Sequence, residues 1–271
     1  MIAYFTSQFT KFSSQKTRQL THHSPHVTIL LVFKPLLGSI LDLIYPQTCI
    51  FCKESIQTQE KTPLCQICRN AIQKNKPPFC SLCSRYLEDQ MNPLCSTCLK
   101  TNPHFDMAWA SSLYDDTMQK LIHLFKYGQK TSLQYYFGEL MLEFITTYRL
   151  KIEQFDVVTP IPLHSTRLRE RGFNQAQLLA EKIAQTFHIQ QSNHNLVRIK
   201  NTQNQARLSQ KDRWTNIRGA FKIKDIAAFA HKSVLLVDDL LTTGATASEV
   251  ARILKTAGAK KVGVLTVAIA I

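Results

Sequence analysis

Apolar residues in the C-terminal part of the chain follow two alternating patterns. Short, mostly apolar runs predict buried strands at residues 107–114, 156–161, 234–237 and 261–270. Between these runs, apolar residues recur at every third or fourth position, which predicts helices at residues 115–125, 132–148, 174–187 and 247–257. Because strands alternate with helices, we expect a largely parallel sheet flanked by helices, an α/β domain over residues 105–271.

The N-terminal residues lack this alternation. Residues 1–35 contain basic side chains and no acidic one, and they are rich in Ser, Thr and Gln, so we expect a disordered basic arm there. The arm is open to three interpretations: a contact with nucleic acid, a solvated tail, or a start codon placed too early. Helical spacing of apolar residues at 36–44 predicts a short amphipathic helix that leads into a cysteine-rich segment ending near residue 104.

The sequence contains no convincing transmembrane segment. The apolar run 28–33 is ended by Lys34 and Pro35, well short of the roughly 20 apolar residues that a membrane-spanning helix needs. The run also lacks a clear cleavage site for a signal peptide. These features predict a cytoplasmic protein.

All eight cysteines belong to Cys-x-x-Cys pairs. The pairs are Cys49/Cys52, Cys65/Cys68, Cys80/Cys83 and Cys95/Cys98. Regular pairs of this kind are typical of metal thiolate sites in a reducing compartment, and two pairs complete a tetrahedral zinc site. Joining neighbouring pairs would give one site from the first four cysteines and a second site from the last four. The spacing alone also permits interleaved pairs.

Zinc is favoured over two other uses of such pairs. A redox-active Cys-x-x-Cys requires a thioredoxin-like βαβ context, which is missing around these pairs. Four thiolates also suit an iron–sulfur cluster. We expect zinc in a structural role, because four thiolates leave no open coordination position for water and the segment has few large apolar residues of its own.

The segment 234–246 combines a buried strand, two acids and a loop rich in Thr. Asp238 and Asp239 follow the apolar strand 234–237, and the helix predicted at 247–257 begins directly after the loop. A strand, a tight loop and a helix N-terminus form a phosphate cradle, in which loop N–H groups and the helix dipole face the anion. Two carboxylates beside a bare phosphate would repel it, so we expect them to face ribose hydroxyls. The alternative is a strand that ends in solvated acids.

This segment resembles the motif that binds phosphoribosyl pyrophosphate (PRPP) in type I phosphoribosyltransferases. That motif is an apolar strand, two acids, a short spacer and Thr-Gly-x-Thr. The resemblance implies that Asp238 and Asp239 hold the ribose and are the catalytic residues, and that the loop holds the 5′-phosphate of a magnesium–PRPP complex. The implied loop residues are Thr242, Thr243, Gly244, Ala245 and Thr246.

Three arginines follow the strand predicted at 156–161. Arg167, Arg169 and Arg171 are crowded in a loop just before the helix predicted to start at Asn174. Guanidinium groups bind phosphate oxygens with paired hydrogen bonds, so this loop suits the diphosphate of PRPP. A solvated basic loop is the alternative for three arginines taken alone.

The segment 196–224 carries eight basic residues and one acid, in a chain of net charge +14. This charge predicts polyanionic partners. The segment is either a mobile lid over the diphosphate or a surface for single-stranded DNA. The nucleic-acid candidates are Arg207, Lys211, Arg213 and Trp214. Trp214 could stack on a base or pack in the core.

The order of these motifs resembles the ComF family of competence proteins. The motifs are the four cysteine pairs, Lys126-Tyr127, the Pro-Leu-His segment with its arginines, Gln-x-x-Leu-Ser at 205–209, and the Asp-Asp loop. The family commonly has an Arg after the Lys-Tyr pair, where this chain has Gly128. The resemblance implies a type I phosphoribosyltransferase-like parallel sheet flanked by helices, preceded by a small cysteine-rich double zinc ribbon within residues 36–104.

The resemblance also implies a biological role. It implies handling of incoming single-stranded DNA during natural transformation, in the cytoplasm or peripherally at the inner membrane, with a DNA-uptake helicase or membrane channel components as partners. Two alternatives remain open. One is a magnesium-dependent phosphoribosyltransferase with an unknown acceptor, for which no general base is identifiable, and the other is a regulator that senses PRPP.

Overall fold

The computed structural model describes residues 47–56, 62–88, 91–202 and 210–270, with side chains in the last range from residue 212 onward. The expected basic arm over 1–35 and the helix predicted at 36–44 lie outside these ranges. From Gln47 onward the chain forms one compact unit, which contains both the cysteine pairs and the α/β fold.

Five strands make one parallel sheet. The strands of the described residues are β1 (Met107–Leu113), β2 (Val157–Pro160), β3 (Gln190–Gln191), β4 (Leu196–Arg198), β5 (Phe221–Ile223), β6 (Ser233–Leu241) and β7 (Lys261–Ile269). The sheet has the order β1-β7-β6-β2-β3, and β4 pairs with β5 as a separate antiparallel ribbon. The predicted parallel α/β sheet is confirmed, and the strand that carries Asp238 lies at its centre.

The helices lie before, between and after these strands. Those of the described residues are α1 (Gln66–Asn70), α2 (Ser96–Thr101), α3 (Asp116–Tyr127), α4 (Leu133–Thr147), α5 (Ser165–Arg171), α6 (Gln175–Phe187), α7 (Gln210–Ile217) and α8 (Ala245–Thr256). The Asn174 side chain caps α6 by accepting a hydrogen bond from the Ala176 N–H, which is a typical N-cap. Within the described ranges, every helix is too short or too polar to cross a membrane.

Alternating side chains of β6 pack into two cores on opposite faces of the sheet. Leu235 and Val237 join the core built with α3, α4 and α6. Val234 and Leu236 join the core built with α8. Because helices cover both faces, the strand is apolar on both sides, which explains its continuous run of buried residues.

Strand β6 is longer than the sequence predicts. It was expected to end at Val237, but it continues to Leu241 because β7 pairs with it as far as the pair Leu241 and Ile269. On its other side β2 stops at Pro160, opposite Val237. The following residues of β6 therefore lack a neighbour on that side, and the sheet opens beside Asp238.

The opening lies at the switch point of the topology. From β2 the chain passes through α6 to β3, on one side of β2, whereas from β6 it passes through α8 to β7, on the opposite side. In open parallel sheets, ligands bind at the carboxyl ends of strands where connections diverge in this way.

The segment with the first four cysteines, from Cys49 to Cys68, and the segment with the last four, from Cys80 to Cys98, are called here the first and the second ribbon. The two ribbons pack against different faces of the sheet. Leu64 and Cys68 of the first ribbon belong to the core of α3 and α4. Cys83 and Cys98 of the second ribbon belong to the core of α8. The second ribbon therefore lies on the same side of the sheet as the helix that follows the Asp-Asp loop.

Backbone from the cysteine module also covers the edge strand β1. Leu113 N donates to the Gln73 carbonyl over 2.9 Å, and Ala108 N donates to the Leu82 carbonyl over 2.6 Å. An uncovered edge strand is a template for pairing with other chains, so the module closes this edge of the sheet.

Candidate ligand-binding cleft and metal centres

The eight cysteines form two separate clusters of four. One contains Cys49, Cys52, Cys65 and Cys68, and the other contains Cys80, Cys83, Cys95 and Cys98. Within each cluster all sulfur atoms lie within 4.8 Å of one another. Neighbouring pairs therefore come together, as the first of the two predicted arrangements requires, and the interleaved arrangement is excluded.

The sulfur spacing fits zinc. Tetrahedral zinc with Zn–S bonds of about 2.3 Å holds its sulfurs about 3.8 Å apart. The Sγ atoms of Cys52 and Cys65 are 3.6 Å apart, and so are those of Cys83 and Cys95. The four thiols of each cluster are therefore placed as a structural zinc site needs them.

Hydrogen-bond donors favour a thiolate at one cysteine of each cluster, Cys49 and Cys80, whereas burial and neighbouring sulfurs raise the pKa of Cys68, Cys83 and Cys98. Burial raises the pKa of Cys49, but backbone N–H donors of Cys52, Cys65 and Phe51 outweigh it and lower that pKa to about 6. In the second cluster, the Cys95 N–H donates to the Cys80 sulfur over 3.3 Å. Metal ligands must be deprotonated, so these donors prepare the clusters for a cation.

A cleft of about 750 Å³ opens at the carboxyl ends of β2 and β6. Its lining includes eight of the ten residues predicted for PRPP: Asp238, Asp239, Thr242, Gly244, Ala245, Thr246, Arg167 and Arg171. Thr243 and Arg169 lie outside the lining. The acids and the Thr-rich loop that follows them thus meet the distant arginine segment in a single cavity at the switch point of the sheet.

The two acids differ in their surroundings. The Asp239 carboxylate is 2.8 Å from the Lys126 ammonium, and their side chains are only 6% and 21% exposed. Burial tends to lower the pKa of Lys126, but attraction to Asp239 and Asp238 outweighs it and raises that pKa, so Lys126 is a cation here. Burial and the neighbouring Asp239 charge raise the pKa of Asp238 to about 7. The cleft therefore holds one firmly paired acid and one acid that titrates near neutrality.

The phosphate loop consists of residues 242–244 and leads straight into α8. Gly244 has φ of 79°, a left-handed conformation that favours glycine, and it occupies the N-cap position of the helix. Helix α8 therefore begins at Ala245, two residues before its predicted start. The Thr243 hydroxyl accepts a hydrogen bond from Ala245 N over 3.4 Å, and this bond closes the turn. Thr243 therefore does not line the cleft.

The arginine segment is a helix, and its prediction as a loop is wrong. His164 caps α5 at its start, and Gly172, with φ of 79°, ends it. Arg167 and Arg171, four residues apart, lie on the side of α5 that lines the cleft, whereas Arg169 is exposed to solvent. The Arg171 guanidinium donates to the Tyr127 hydroxyl over 3.0 Å and lies 4.8 Å from that ring.

Two further cations of the cleft were missing from the predicted site. Lys126 comes from the end of α3, and Arg198 comes from β4. The Arg198 Nε is buried and has no hydrogen-bond partner in the described part of the structure. Burial, and then repulsion from Arg167 and Arg171, lower the pKa of Arg198. The Lys-Tyr motif and the basic segment 196–224 contain these two residues, but neither pattern says which cation turns inward.

The residues predicted for nucleic acid are only partly described. Arg207 and the side chain of Lys211 lie outside the described residues. Arg213 lines the same cleft as the arginines of α5. Trp214 packs partly against the core of α8, and its indole Nε1 is buried without a hydrogen-bond partner in the described structure.

Comparison with known protein families matches two consecutive regions of the chain. Residues 40–99 match the double zinc ribbon domain, and residues 173–270 match the phosphoribosyl transferase domain. The first region contains both cysteine clusters, and the second contains the Asp-Asp loop.

Several curated proteins and solved structures are similar to the chain. Competence protein F of Haemophilus influenzae is 30% identical over 171 residues, which are 61% of this chain and 74% of that protein. DNA utilization protein YhgH of Escherichia coli is 31% identical (56% and 66% covered), and competence protein ComFC of Bacillus subtilis is 33% identical (52% and 55% covered). A purine phosphoribosyltransferase from Pyrococcus horikoshii is 15% identical with a TM-score of 0.26 (51% and 71% covered). An allosteric regulatory enzyme of purine biosynthesis is 20% identical with a TM-score of 0.32 (48% and 24% covered).

Proposed function

Since the chain belongs to the ComF family of competence proteins, we propose that its cleft binds magnesium–PRPP and that the protein handles single-stranded DNA in the cytoplasm during natural transformation. The observation that carries the PRPP assignment is the meeting of an acid pair, a phosphate loop and inward arginines in one cavity at the switch point of the sheet.

The ribose 5-phosphate half of PRPP fits the loop and the acids. The backbone N–H groups at the start of α8 and the hydroxyls of Thr242 and Thr246 would donate to the 5′-phosphate, helped by the helix dipole. The carboxylates of Asp238 and Asp239 would accept hydrogen bonds from the ribose 2′- and 3′-hydroxyls. Lys126 offsets one of the two negative charges, so the pair does not repel the anionic ligand as strongly as two unpaired acids would.

The diphosphate half fits the arginines. Arg198 lies close enough to Arg167 and Arg171 to be repelled by both, and a multivalent anion would relieve that repulsion. Magnesium would be held by the diphosphate oxygens with help from Asp238, because carboxylate oxygens are the hard donors that this ion prefers. Bound there, the ion would offset the charge of the diphosphate.

Calorimetric titration of magnesium–PRPP into zinc-loaded protein tests the assignment. We expect binding by the wild-type protein and its loss in the Asp238→Asn/Asp239→Asn double variant. Asp225→Asn is the matched control, since Asp225 is exposed and precedes β6, at the end of the sheet opposite the cleft. Absence of binding by the wild-type protein, or equal binding by the double variant, would refute the PRPP site.

The DNA role rests on charge and on the relatives. The printed names of the relatives refer to competence and to DNA utilization, and the basic segment 196–224 brings Arg198 and Arg213 to the cleft. Transformation frequency in cells that carry Asp239→Asn connects the two halves of the proposal. A loss of transformation at normal protein levels is expected. Wild-type frequency would separate DNA uptake from the PRPP site.

A ribosyl transfer is the second candidate, favoured by one wall of the cleft. Gln119, His123 and Tyr127 of α3 line it, and polar and aromatic groups of this kind suit a planar acceptor. Transfer would break the bond between C1 and the diphosphate oxygen, form a bond from C1 to the acceptor, and release pyrophosphate and the acceptor proton. Pyrophosphate release on addition of an acceptor, with single-stranded DNA among those screened, would establish transfer. Binding without release would favour PRPP as a regulatory ligand.

A further inference from the structure

The side chain of Arg85 joins the second cysteine cluster to the phosphate loop. Its Nη2 donates to the Thr242 carbonyl over 2.8 Å, and its Nε and Nη2 donate to the Ala270 carbonyl over 3.1 and 3.0 Å. Its Nη1 lies 3.8 Å from the Cys95 sulfur. One half-buried guanidinium thus contacts a metal ligand and the backbone that follows both β6 and β7.

Arginine is the side chain that can make all these contacts. Its planar guanidinium carries five N–H donors in a fixed arrangement. Thr242 and Ala270 lie directly after neighbouring parallel strands, where carbonyl groups have no further strand to pair with. The backbone of Arg85 is itself fixed by the ribbon, because its carbonyl accepts from Cys80 N over 2.7 Å.

Two more contacts bind the second ribbon and its exit to the same loop and helix. A Cβ placed on Gly244 would lie 3.6 Å from the Phe105 ring, so the ring packs against the loop backbone. The His104 N–H donates to the Ser248 hydroxyl in the first turn of α8 over 3.0 Å. Cys83 and Cys98 face the back of the loop across a small crevice that Thr243 also lines.

We propose that Arg85 is a positioning residue, through which the second cysteine cluster fixes the conformation of the phosphate loop. The first cluster packs against the opposite face of the sheet, with Leu64 and Cys68 in the core of α3 and α4, and it has no such contact among the described residues. The two ribbons therefore have different roles, and only the second one sets the 5′-phosphate site. The ligand named here rests on the proposed PRPP function, but the position of the loop does not.

Hydrogen exchange of the zinc-loaded protein without ligand tests the loop itself. We expect faster exchange at amides 242–248 in Arg85→Met, with unchanged exchange at Val234 to Val237 and an unchanged zinc content. Lys53→Met is the matched control, since Lys53 directly follows the Cys49/Cys52 pair of the first ribbon and its ammonium donates to the Ile50 carbonyl, far from the phosphate loop in sequence. Arg85→Lys keeps a cation beside Cys95 and should give an intermediate rate of exchange at amides 242–248. If Arg85→Met loses zinc, the exchange rate of Arg85→Lys decides whether Arg85 positions the loop.

Two ligands separate positioning from a general loss of structure. Affinity for ribose 5-phosphate, which would use the loop, should fall by roughly tenfold in Arg85→Met, the effect of about one lost hydrogen bond to a charged group. Affinity for magnesium–pyrophosphate, which would use Arg167 and Arg171, should stay within about twofold.

The outcomes distinguish the two proposals. If the wild-type protein binds neither ligand but Arg85→Met still loosens amides 242–248, the PRPP assignment fails and the role of Arg85 stands. If exchange at 242–248 and ribose 5-phosphate affinity both match the wild type in Arg85→Met and Arg85→Lys with zinc retained, Arg85 does not position the loop. Equal losses for both ligands would also overturn the inference, because they would indicate general disruption.

Discussion

At the scale of single residues, the pleat of β6 explains why two adjacent acids behave differently. Consecutive side chains of a strand point to opposite faces of the sheet. Asp239 therefore shares the face of Leu235 and Val237, where α3 supplies Lys126. Asp238 shares the other face, and there burial and the Asp239 charge raise its pKa by more than Lys126 and, less strongly, Arg198 lower it.

PRPP affinity should depend on pH through Asp238. The pKa of Asp238 is raised to about 7, so its carboxyl group takes up a proton as the pH falls through neutrality. The ionised carboxylate accepts hydrogen bonds on both oxygens, whereas the protonated form has one oxygen that carries a proton and is a weaker acceptor for a ribose hydroxyl. We expect calorimetry between about pH 8 and pH 6 to show affinity falling, by up to about tenfold per unit below the pKa.

The 5′-phosphate of the ligand also titrates near pH 6, so a control is needed. Asp238→Asn removes the protein group and keeps the ligand group. Its affinity should be lower than wild type above neutrality and should change less over the same range. Parallel pH profiles for the two proteins would show that Asp238 does not control binding.

Arg198 should contribute to diphosphate binding although the predicted site omits it. Its buried Nε has no partner in the described structure, so a phosphate oxygen would satisfy a donor that otherwise costs free energy. We expect Arg198→Gln to weaken magnesium–pyrophosphate binding by about tenfold or more. Arg169→Gln is the matched control because Arg169 is exposed outside the cleft. Equal effects of the two substitutions would remove Arg198 from the site.

At the scale of elements, the two ribbons should release metal at different rates. All four cysteines of the second cluster are buried, whereas Cys52 of the first cluster is exposed and Cys65 is half-buried. A colorimetric zinc chelator should therefore remove the zinc ion of the first cluster quickly and that of the second cluster slowly. Cys52→Ser should abolish the fast phase, and Cys83→Ser should abolish the slow one. A single phase with two ions released together would contradict independent sites.

The elements that the sequence predicts well are those with strong apolar patterns. The helix at 174–187 and the strand at 261–270 are found within one or two residues of their predicted ends, because one face of the helix and both faces of the strand are buried. Helix α5 was missed because none of its residues is buried, so it has no apolar periodicity to detect. Strand β3, with two residues, is too short for any pattern.

The residues of the site also fall into two groups, those that a local sequence motif identifies and those that only the fold brings to the cleft. The phosphate loop is local in sequence, and its acids, glycine and threonines are recognisable as one motif. Lys126 and Arg198 reach the cleft from α3 and β4, which the fold alone brings beside Asp239 and Asp238. The inward direction of Arg167 and the outward direction of Arg169 depend on the helical conformation of α5, which the loop prediction lacked.

At the scale of the whole molecule, a chain of net charge +14 brings five basic side chains to the cleft where the sheet opens. The cations that line the cleft are Lys126, Arg167, Arg171, Arg198 and Arg213. Two of them belong to the basic segment 196–224, so under the proposed function one region would bind both the diphosphate and DNA. A cleft walled by cations concentrates polyanions and speeds their association.

Single-stranded DNA binding should therefore be steeply dependent on salt and should require segment 196–224. In fluorescence anisotropy, the affinity should fall by roughly 0.7 of a power of salt concentration for each phosphate contact. Charge reversal at Arg207, Lys211 and Arg213 together should abolish binding, whereas Lys151→Glu, in the connection before β2 at the opposite end of the sheet, should not. Because Arg213 lines the cleft, Arg213→Glu alone should lower the affinity for magnesium–PRPP as well as for DNA. If Arg213→Glu weakens the binding of DNA but not of magnesium–PRPP, the segment is a separate DNA surface. If the triple variant weakens the binding of magnesium–PRPP but not of DNA, the segment is a lid and the DNA surface lies elsewhere.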